Sequence, residues 1–347
     1  MADTLVQDAA MRLFADLATP DLINAAEAGT WPQALWQAVE NAGFLDAIAG
    51  SAPGDLGGLP DAAAILHAAG RYAAPLPIAE TMLARFMLAA AGRKAEQGPL
   101  AILPVEDGDT LELRRRDAGW HLAGKARHVP WARAATELIV VAWDRLAVLS
   151  PVQVEIRHGT NLAGEPRDEV LCDTHLSLDD VVALPKGIGR TTLYRLGALL
   201  RAALMAGALD GAMALATQYA GERIQFGRPL ARFQAIQHML AQLAEQVAAA
   251  DVAVAAAAAQ LARGGDLLAA AAIAKIRAGE AAGKASEIAH QVHGAIGFTY
   301  EHRLHHLTRR LWSWRDEFGI ESDWSVELGR FVADKGREAL WPLLTAS

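Results

Sequence analysis

The chain carries a single cysteine, Cys172, among 347 residues. No internal disulfide can form, which excludes a disulfide-stapled scaffold and fits a reducing compartment. Cys172 closes the strand-like run Val170-Leu171-Cys172, where a lone cysteine reads as a small core residue rather than a nucleophile. No long basic block exists and the net charge is −8, so nucleic acid is not an expected partner. The N-terminal MADTLVQDAAMRLF lacks the basic start and apolar run of a signal peptide. The Ala-rich stretch 247–262 is apolar, but it is short and is punctuated or bounded by Asp251, Gln260 and Arg263, so no membrane association is expected. A cytoplasmic location follows as the default.

What is present falls into three textures, and 52% apolar residues suffice for sizeable cores. From 1 to 95, apolar residues recur at helical spacing (Leu5, Ala9, Leu13, Leu17, then Leu35 and Val39, later Ala64, Leu66, Ala69). Breakers at Gly43, Pro53-Gly54, Gly57-Gly58 and Pro75 to Pro77 divide this region into short-to-medium helices. From 96 to 186 the helical spacing stops. Leu111 to Leu113, Trp120 to Leu122, Leu138 to Ala142 and Val154 to Ile156 read as short strands between Gly, Asp and Pro clusters, which predicts a small antiparallel barrel or sandwich. From 187 to 347 helical patterns return over about 190–222, 229–263, 266–296 and 321–345, which predicts a four-helix bundle. The fold class is therefore α+β, mostly α, in three domains.

The most informative stretch is 219–238, YAGERIQFGRPLARFQAIQH. It breaks at Phe226-Gly227 and restarts as a helix after Pro229, a residue tolerated in a first helical turn. Arg223, Arg228 and Arg232 crowd this joint, with Phe226, Gln225, Gln234 and Gln237 beside them. Such a joint suits a phosphate or pyrophosphate held by charge-assisted hydrogen bonds, with an aromatic against a base. Downstream, 291–300 reads QVHGAIGFTY.

Both segments resemble signatures of the acyl-CoA dehydrogenase family of flavoenzymes: an E-R-x-x-F-G joint, and a second flavin segment of the form Q-x-x-G-G-x-G-[FY]. The phrase Trp120 to Lys125, WHLAGK, is similar to the family's middle domain. The resemblance implies an N-terminal helical domain, a middle β domain and a C-terminal bundle. It implies FAD as cofactor, an acyl-CoA substrate oxidised to its 2,3-enoyl form, and an electron-transfer flavoprotein as acceptor. In that family the joint reaches the FAD of a neighbouring subunit, so Arg223, Phe226, Gln234, Gln291, Gly294 and Ala295 become the cofactor-binding candidates. No metal is expected. His302 and His306 would share a helix face, but beyond Glu301 no local carboxylate or cysteine completes a ligand set.

The chain also departs from that pattern. The family's T-E-P-x-x-G-S-D-like stretch, which seats the flavin ring, is replaced by Ala101 to Thr110, AILPVEDGDT. Ala295 stands where a second glycine is usual, and Arg310 where an aspartate is usual. The position expected for the catalytic carboxylate falls on Phe318, and the second position used by some relatives falls on Gly197. Glu317, one residue away, becomes the candidate base that takes the α-proton. Residues that face a neighbour's FAD are kept while the chain's own ring pocket is degraded. The resemblance therefore extends to family members built from two unlike chains, some acting on steroid side-chain thioesters. It implies an unlike subunit in a heterotetramer, with a homo-oligomer as the other assembly. A non-catalytic partner subunit, or an oxidase or monooxygenase on the same fold, are the alternative functions. The loop KGIGRTT, Lys186 to Thr192, lacks a phosphate-loop pattern and reads as a domain joint. Trp312, Trp314 and Trp324 read as core, subunit contact or an acyl-cleft lining.

Overall fold

The computed structural model describes residues 4–341 apart from 49–51, 53, 107, 117 and 340. The turn positions Pro53, Asp107 and Asp117 and the predicted helix beyond 341 lie outside the described residues. Five helices open the chain: α1 (Thr4–Leu17), α2 (Pro20–Glu27), α3 (Gln33–Asn41), α4 (Leu59–Arg71) and α5 (Ile78–Ala90). On α1 the buried face is Ala10 and Phe14, one step round from the Leu5–Leu17 stripe, and Leu5 is 76% exposed. Leu13 and Leu17 pack partly buried at the edge of the same core.

Eight strands follow: β1 (Leu100–Leu103), β2 (Thr110–Arg116), β3 (Gly119–Pro130), β4 (Glu137–Ala142), β5 (Arg145–Leu149), β6 (Glu155–Arg157), β7 (Arg167–Leu176) and β8 (Val181–Ala183). They form two four-stranded sheets, ordered β1-β4-β5-β8 and β2-β3-β7-β6. A core of Leu103, Leu122, Val140, Val170 and Cys172 lies between them. The expected antiparallel pattern is corrected at one pair, since β1 and β4 run parallel. The β2-β3 hairpin between them in sequence belongs to the other sheet, so the chain crosses over before returning beside β1. β1 and β5 escaped the sequence reading because each is short and lacks flanking alternation.

The last region holds α6 (Arg190–Glu222), a two-residue-per-strand hairpin of β9 (Ile224–Gln225) and β10 (Arg228–Pro229), α7 (Gln234–Ala262), α8 (Leu267–His293), α9 (Leu304–Asp316) and α10 (Glu321–Lys335). The helix expected over 321–345 is α10, and α9 ahead of it was not expected. Phe318 (φ +54) and Gly319 (φ +88) are consecutive left-handed residues, which no right-handed helix can pass through. The start of α7 is likewise later than Pro229, because Leu230 to Arg232 form a 3₁₀ turn first. Alanine lets these helices approach closely. The tightest approach fixes the N-terminal helices on the bundle. A β-carbon on Gly207 of α6 would stand 1.8 Å from the His67 carbonyl oxygen of α4, and one on Gly70 would stand 2.0 Å from that of Leu204. Both positions admit only glycine. Both α6 and α7 are long and apolar enough to meet a membrane-span criterion. The apolar window of α6 is 78% buried, as in a core helix, whereas that of α7 is only 28% buried.

Candidate functional site

The two sequence segments meet at one end of the bundle. Arg223 is the C-cap of α6, Gln234 opens α7, and Gln291 lies in the last turn of α8. The ends of α6 and α8 touch through Tyr219 stacked on His293, with ring centroids 4.8 Å apart. Gln291 shares a groove with Met239, Gln242 and Gln246 of α7. The β9-β10 hairpin stands out from this end. At its tip Phe226 is 92% exposed in a left-handed conformation (φ +52), a costly arrangement for a phenylalanine. Its ring meets Phe233 edge-on at 6.2 Å, and the Arg228 guanidinium lies 4.1 Å from the Phe233 centroid. Arg223 is exposed, and its side chain has no hydrogen bond or ion pair to any described residue. Gly294 (φ +63) and exposed Ala295 follow α8, with nothing within 4 Å of where a Gly294 β-carbon would stand.

Beneath this surface lie His290, His293, His302 and His305. Burial lowers all four imidazoles, His302 to about 4, and neighbouring histidines add to the effect at His290, His302 and His305. They are neutral rings that pack: His290 stacks on Phe298 and meets the Thr308 hydroxyl at 3.0 Å. Because α9 begins only at Leu304, His302 and His306 do not share a helix face as the sequence suggested. Among the described residues no group of three or more His, Cys, Asp or Glu is arranged to hold a metal ion.

Glu317 is elsewhere. It lies in the α9–α10 joint, in a cleft of about 650 Å³ between the β domain and the bundle. From Lys275, which supports that joint, to Gln291 is about 24 Å along α8 at the usual helical rise. The structure therefore does not bring Glu317 and the other site candidates together. The cleft has apolar walls from Leu162, Tyr194, Trp312 and Phe318, and carboxylates at Glu106, Asp316, Glu317 and Asp323 against the guanidinium of Arg167. Of the three tryptophans, Trp312 lines the cleft, while Trp314 and Trp324 are core.

Both oxygens of Glu317 are engaged. Arg167 Nε donates to Oε1 at 2.7 Å, and Oε2 lies 2.8 Å from Arg201 Nε, an ion pair without hydrogen-bond geometry. Phe318, at the position where a carboxylate was expected, is turned inward and 5% exposed. Its ring fills the space over Gly197, where a β-carbon would be only 2.4 Å from the ring edge. The two expected base positions thus pack against each other as a phenylalanine and a glycine.

These arginines belong to a buried network that sequence reasoning missed. Arg201 pairs with Glu80 at 2.5 Å, Arg167 with Glu165 at 3.0 Å, and Glu165 with Arg310 at 3.2 Å. Burial alone would raise the Glu165 carboxyl, but Arg167 and Arg310 hold it below its ordinary range. Arg310 also reaches Glu27 of α2, joining all three regions of the chain. The same pairing explains the arginine at position 310.

The comparisons with known proteins agree with this layout. Residues 191–315 match the family model described as acyl-CoA dehydrogenase, C-terminal domain. The chain is 28% identical over 315 residues to acyl-CoA dehydrogenase IpdE2 of Mycobacterium tuberculosis, covering 88% of this chain and 89% of that protein. It is 32% identical over 231 residues to 3-sulfinopropanoyl-CoA desulfinase of Paraburkholderia xenovorans, covering 61% and 59%. Among solved structures, a variant of the Tcur3481–Tcur3483 steroid ACAD superposes with a TM-score of 0.83 at 26% identity, covering 96% of this chain and 98% of that one. The ChsE4–ChsE5 complex of Mycobacterium tuberculosis superposes with a TM-score of 0.85 at 21% identity, covering 95% and 96%. With the three-part fold and the paired segments at the bundle end, these matches place residues 191–315 in the acyl-CoA dehydrogenase C-terminal domain family and make the chain as a whole similar to acyl-CoA dehydrogenases.

Proposed function

We propose that this chain is one subunit of an FAD-dependent acyl-CoA dehydrogenase assembled from two unlike chains, converting an acyl-CoA thioester to its 2,3-enoyl form. The observation that carries the proposal is the division of the site. Arg223, Phe226, Gln234 and Gln291 face outward at one bundle end, free to meet a partner's cofactor. The chain's own cleft is lined by four carboxylates, which do not suit a polyanionic dinucleotide. The sparsely buried apolar face of α7, with Val252 67% exposed, gives the bundle a surface for an unlike subunit. The likeness to the Tcur3481–Tcur3483 steroid ACAD favours a steroid-derived acyl-CoA within the substrate class.

FAD, when bound, accepts the β-hydride and passes electrons on to an electron-transfer flavoprotein. In this reading Arg223 pairs with the pyrophosphate of the partner's FAD, Phe226 packs against its adenosine half, and Gln234, Gln291 and the Gly294-Ala295 backbone bound the same groove. A charge-assisted contact of this kind is worth about 1.5–3 kcal/mol. Arg223→Ala should therefore reduce FAD retention in the assembled protein about 10- to 100-fold. Unchanged retention would show that the joint only connects two helices.

A second reading keeps Glu317 as the base, because it does line the cleft. It would first have to leave both arginines. Glu317→Gln in the co-expressed complex separates the two: full activity assigns the base to the other chain, and loss of activity with FAD still bound assigns it to this one. Oxygen consumption in the absence of an electron-transfer acceptor would favour an oxidase or monooxygenase instead.

A further inference from the structure

Lys275 is a buried cation that the reading above does not use. It sits mid-way along α8 at 1% exposure. Its ammonium donates to the Arg315 carbonyl at 2.6 Å and to the Gly319 carbonyl at 2.7 Å, the two ends of the segment that joins α9 to α10. Among the described residues no carboxylate lies within ion-pair distance; Glu321 of α10 and Asp316 and Glu317 of the joint attract it from farther off, and Arg201 of α6 opposes it. The joint has other fastenings besides, among them the buried Phe318 ring over Gly197. The Trp324 indole N–H donates to the Phe318 carbonyl at 2.9 Å, Arg315 pairs with Glu321 at 2.5 Å, and Arg167 and Arg201 hold Glu317. The same segment contributes Asp316, Glu317, Phe318, Gly319 and Ile320 to the cleft wall. Its two consecutive left-handed residues include one, Phe318, in a conformation that local backbone preference does not favour.

We propose that Lys275 is the positioning residue of the cleft: by bridging the two ends of the α9–α10 joint it holds Asp316, Glu317 and Phe318 on the cleft wall, and opening of that wall is coupled to protonation of its amine. The coupling follows from where the amine resides in each state. With the wall closed it is out of water, and burial lowers its pKa to about 8. With the wall open it meets water and returns toward the ordinary lysine value of about 10.4. The state with the lower pKa gains as pH rises. The wall is therefore most easily opened at and below neutral pH, and closes more firmly as pH rises above about 8.

The proposal rests on cleft geometry and not on the flavoenzyme reading, so it is tested on the full chain without FAD, partner or substrate. The probe is amide hydrogen exchange at 316–320, corrected for intrinsic chemistry and referenced to core amides of α6. Wild type should gain about tenfold in protection between about pH 7 and about pH 9. Lys275→Met should lose that pH dependence, and at about pH 9 should be less protected than wild type because two carbonyls have lost their donor. Lys275→Arg keeps donors and stays charged throughout, so it should fold and show flat protection even if the methionine variant does not fold. Wild-type pH dependence persisting in either folded variant, or no pH dependence in wild type, overturns the proposal.

Discussion

Replacing Glu27 by glutamine should cost this protein a substantial part of its stability, in a way that fades with acid. Glu27 closes α2 and meets His306, Arg309 and Arg310 together, at 3.1, 2.6 and 3.2 Å. Burial would raise its pKa, but hydrogen bonds from His306 and Arg309, reinforced by the Arg310 charge, lower it from 4.5 to about 2. Taken at face value that displacement corresponds to about 3.4 kcal/mol at neutral pH. Glu27 keeps some contact with water, so about 2–3 kcal/mol is the working figure. The glutamine variant loses this and leaves Arg310, at 0% exposure, with Glu165 as its remaining carboxylate. The sign of the pH effect follows from the depressed pKa. The contribution is complete above the unfolded value of 4.5 and is lost as pH falls toward about 2. Urea unfolding of wild type and Glu27→Gln, followed by tryptophan fluorescence, should differ by about 2–3 kcal/mol near pH 7 and by less than half of that near pH 3. An equal gap at both pH values, or none at either, would refute the claim that Glu27 fastens the N-terminal helices to α9 electrostatically.

Gly207→Ala should destabilise the protein by about 1–3 kcal/mol, since its β-carbon would stand 1.8 Å from the His67 carbonyl oxygen; unchanged urea unfolding would mean that α4 and α6 are not in backbone contact. Burial pushes the Cys172 thiol up to about 11, so it should resist iodoacetamide at about pH 8 and react only once the protein is unfolded. Labelling of the folded chain at the rate of a free thiol would contradict that.

The parts legible in the sequence were those written in local pattern. The 3.6-residue spacing and alanine content marked α6, α7 and α8, and the change of texture marked where strands begin. The α9–α10 break depends on Phe318 adopting a left-handed backbone, a conformation no sequence rule assigns to phenylalanine. The buried charge network was illegible for a different reason. Glu27, Glu80, Glu165, Arg167, Arg201 and Arg310 are scattered over the chain, and a charged residue read alone is taken as surface. Only the packing of three regions on one another makes them interior. The role of the glycines at 70 and 207 has no local signature and appears only once α4 is seen to cross α6. The candidate residues at the bundle end were legible through their motifs, because each of the two motifs is a short local segment. The fate of Glu317 was not, since both of its arginine partners come from distant elements.

By the function proposed above, this chain completes a cofactor site on an unlike partner instead of seating its own flavin. Flavin stoichiometry measures this directly, by absorbance of the purified full chain alone and of the assembly formed with an unlike acyl-CoA dehydrogenase chain. The account predicts little or no FAD on the chain alone and stoichiometric FAD, with acyl-CoA dehydrogenase activity, only in the mixed assembly. A yellow homo-oligomer carrying one FAD per chain and oxidising acyl-CoA by itself would contradict it.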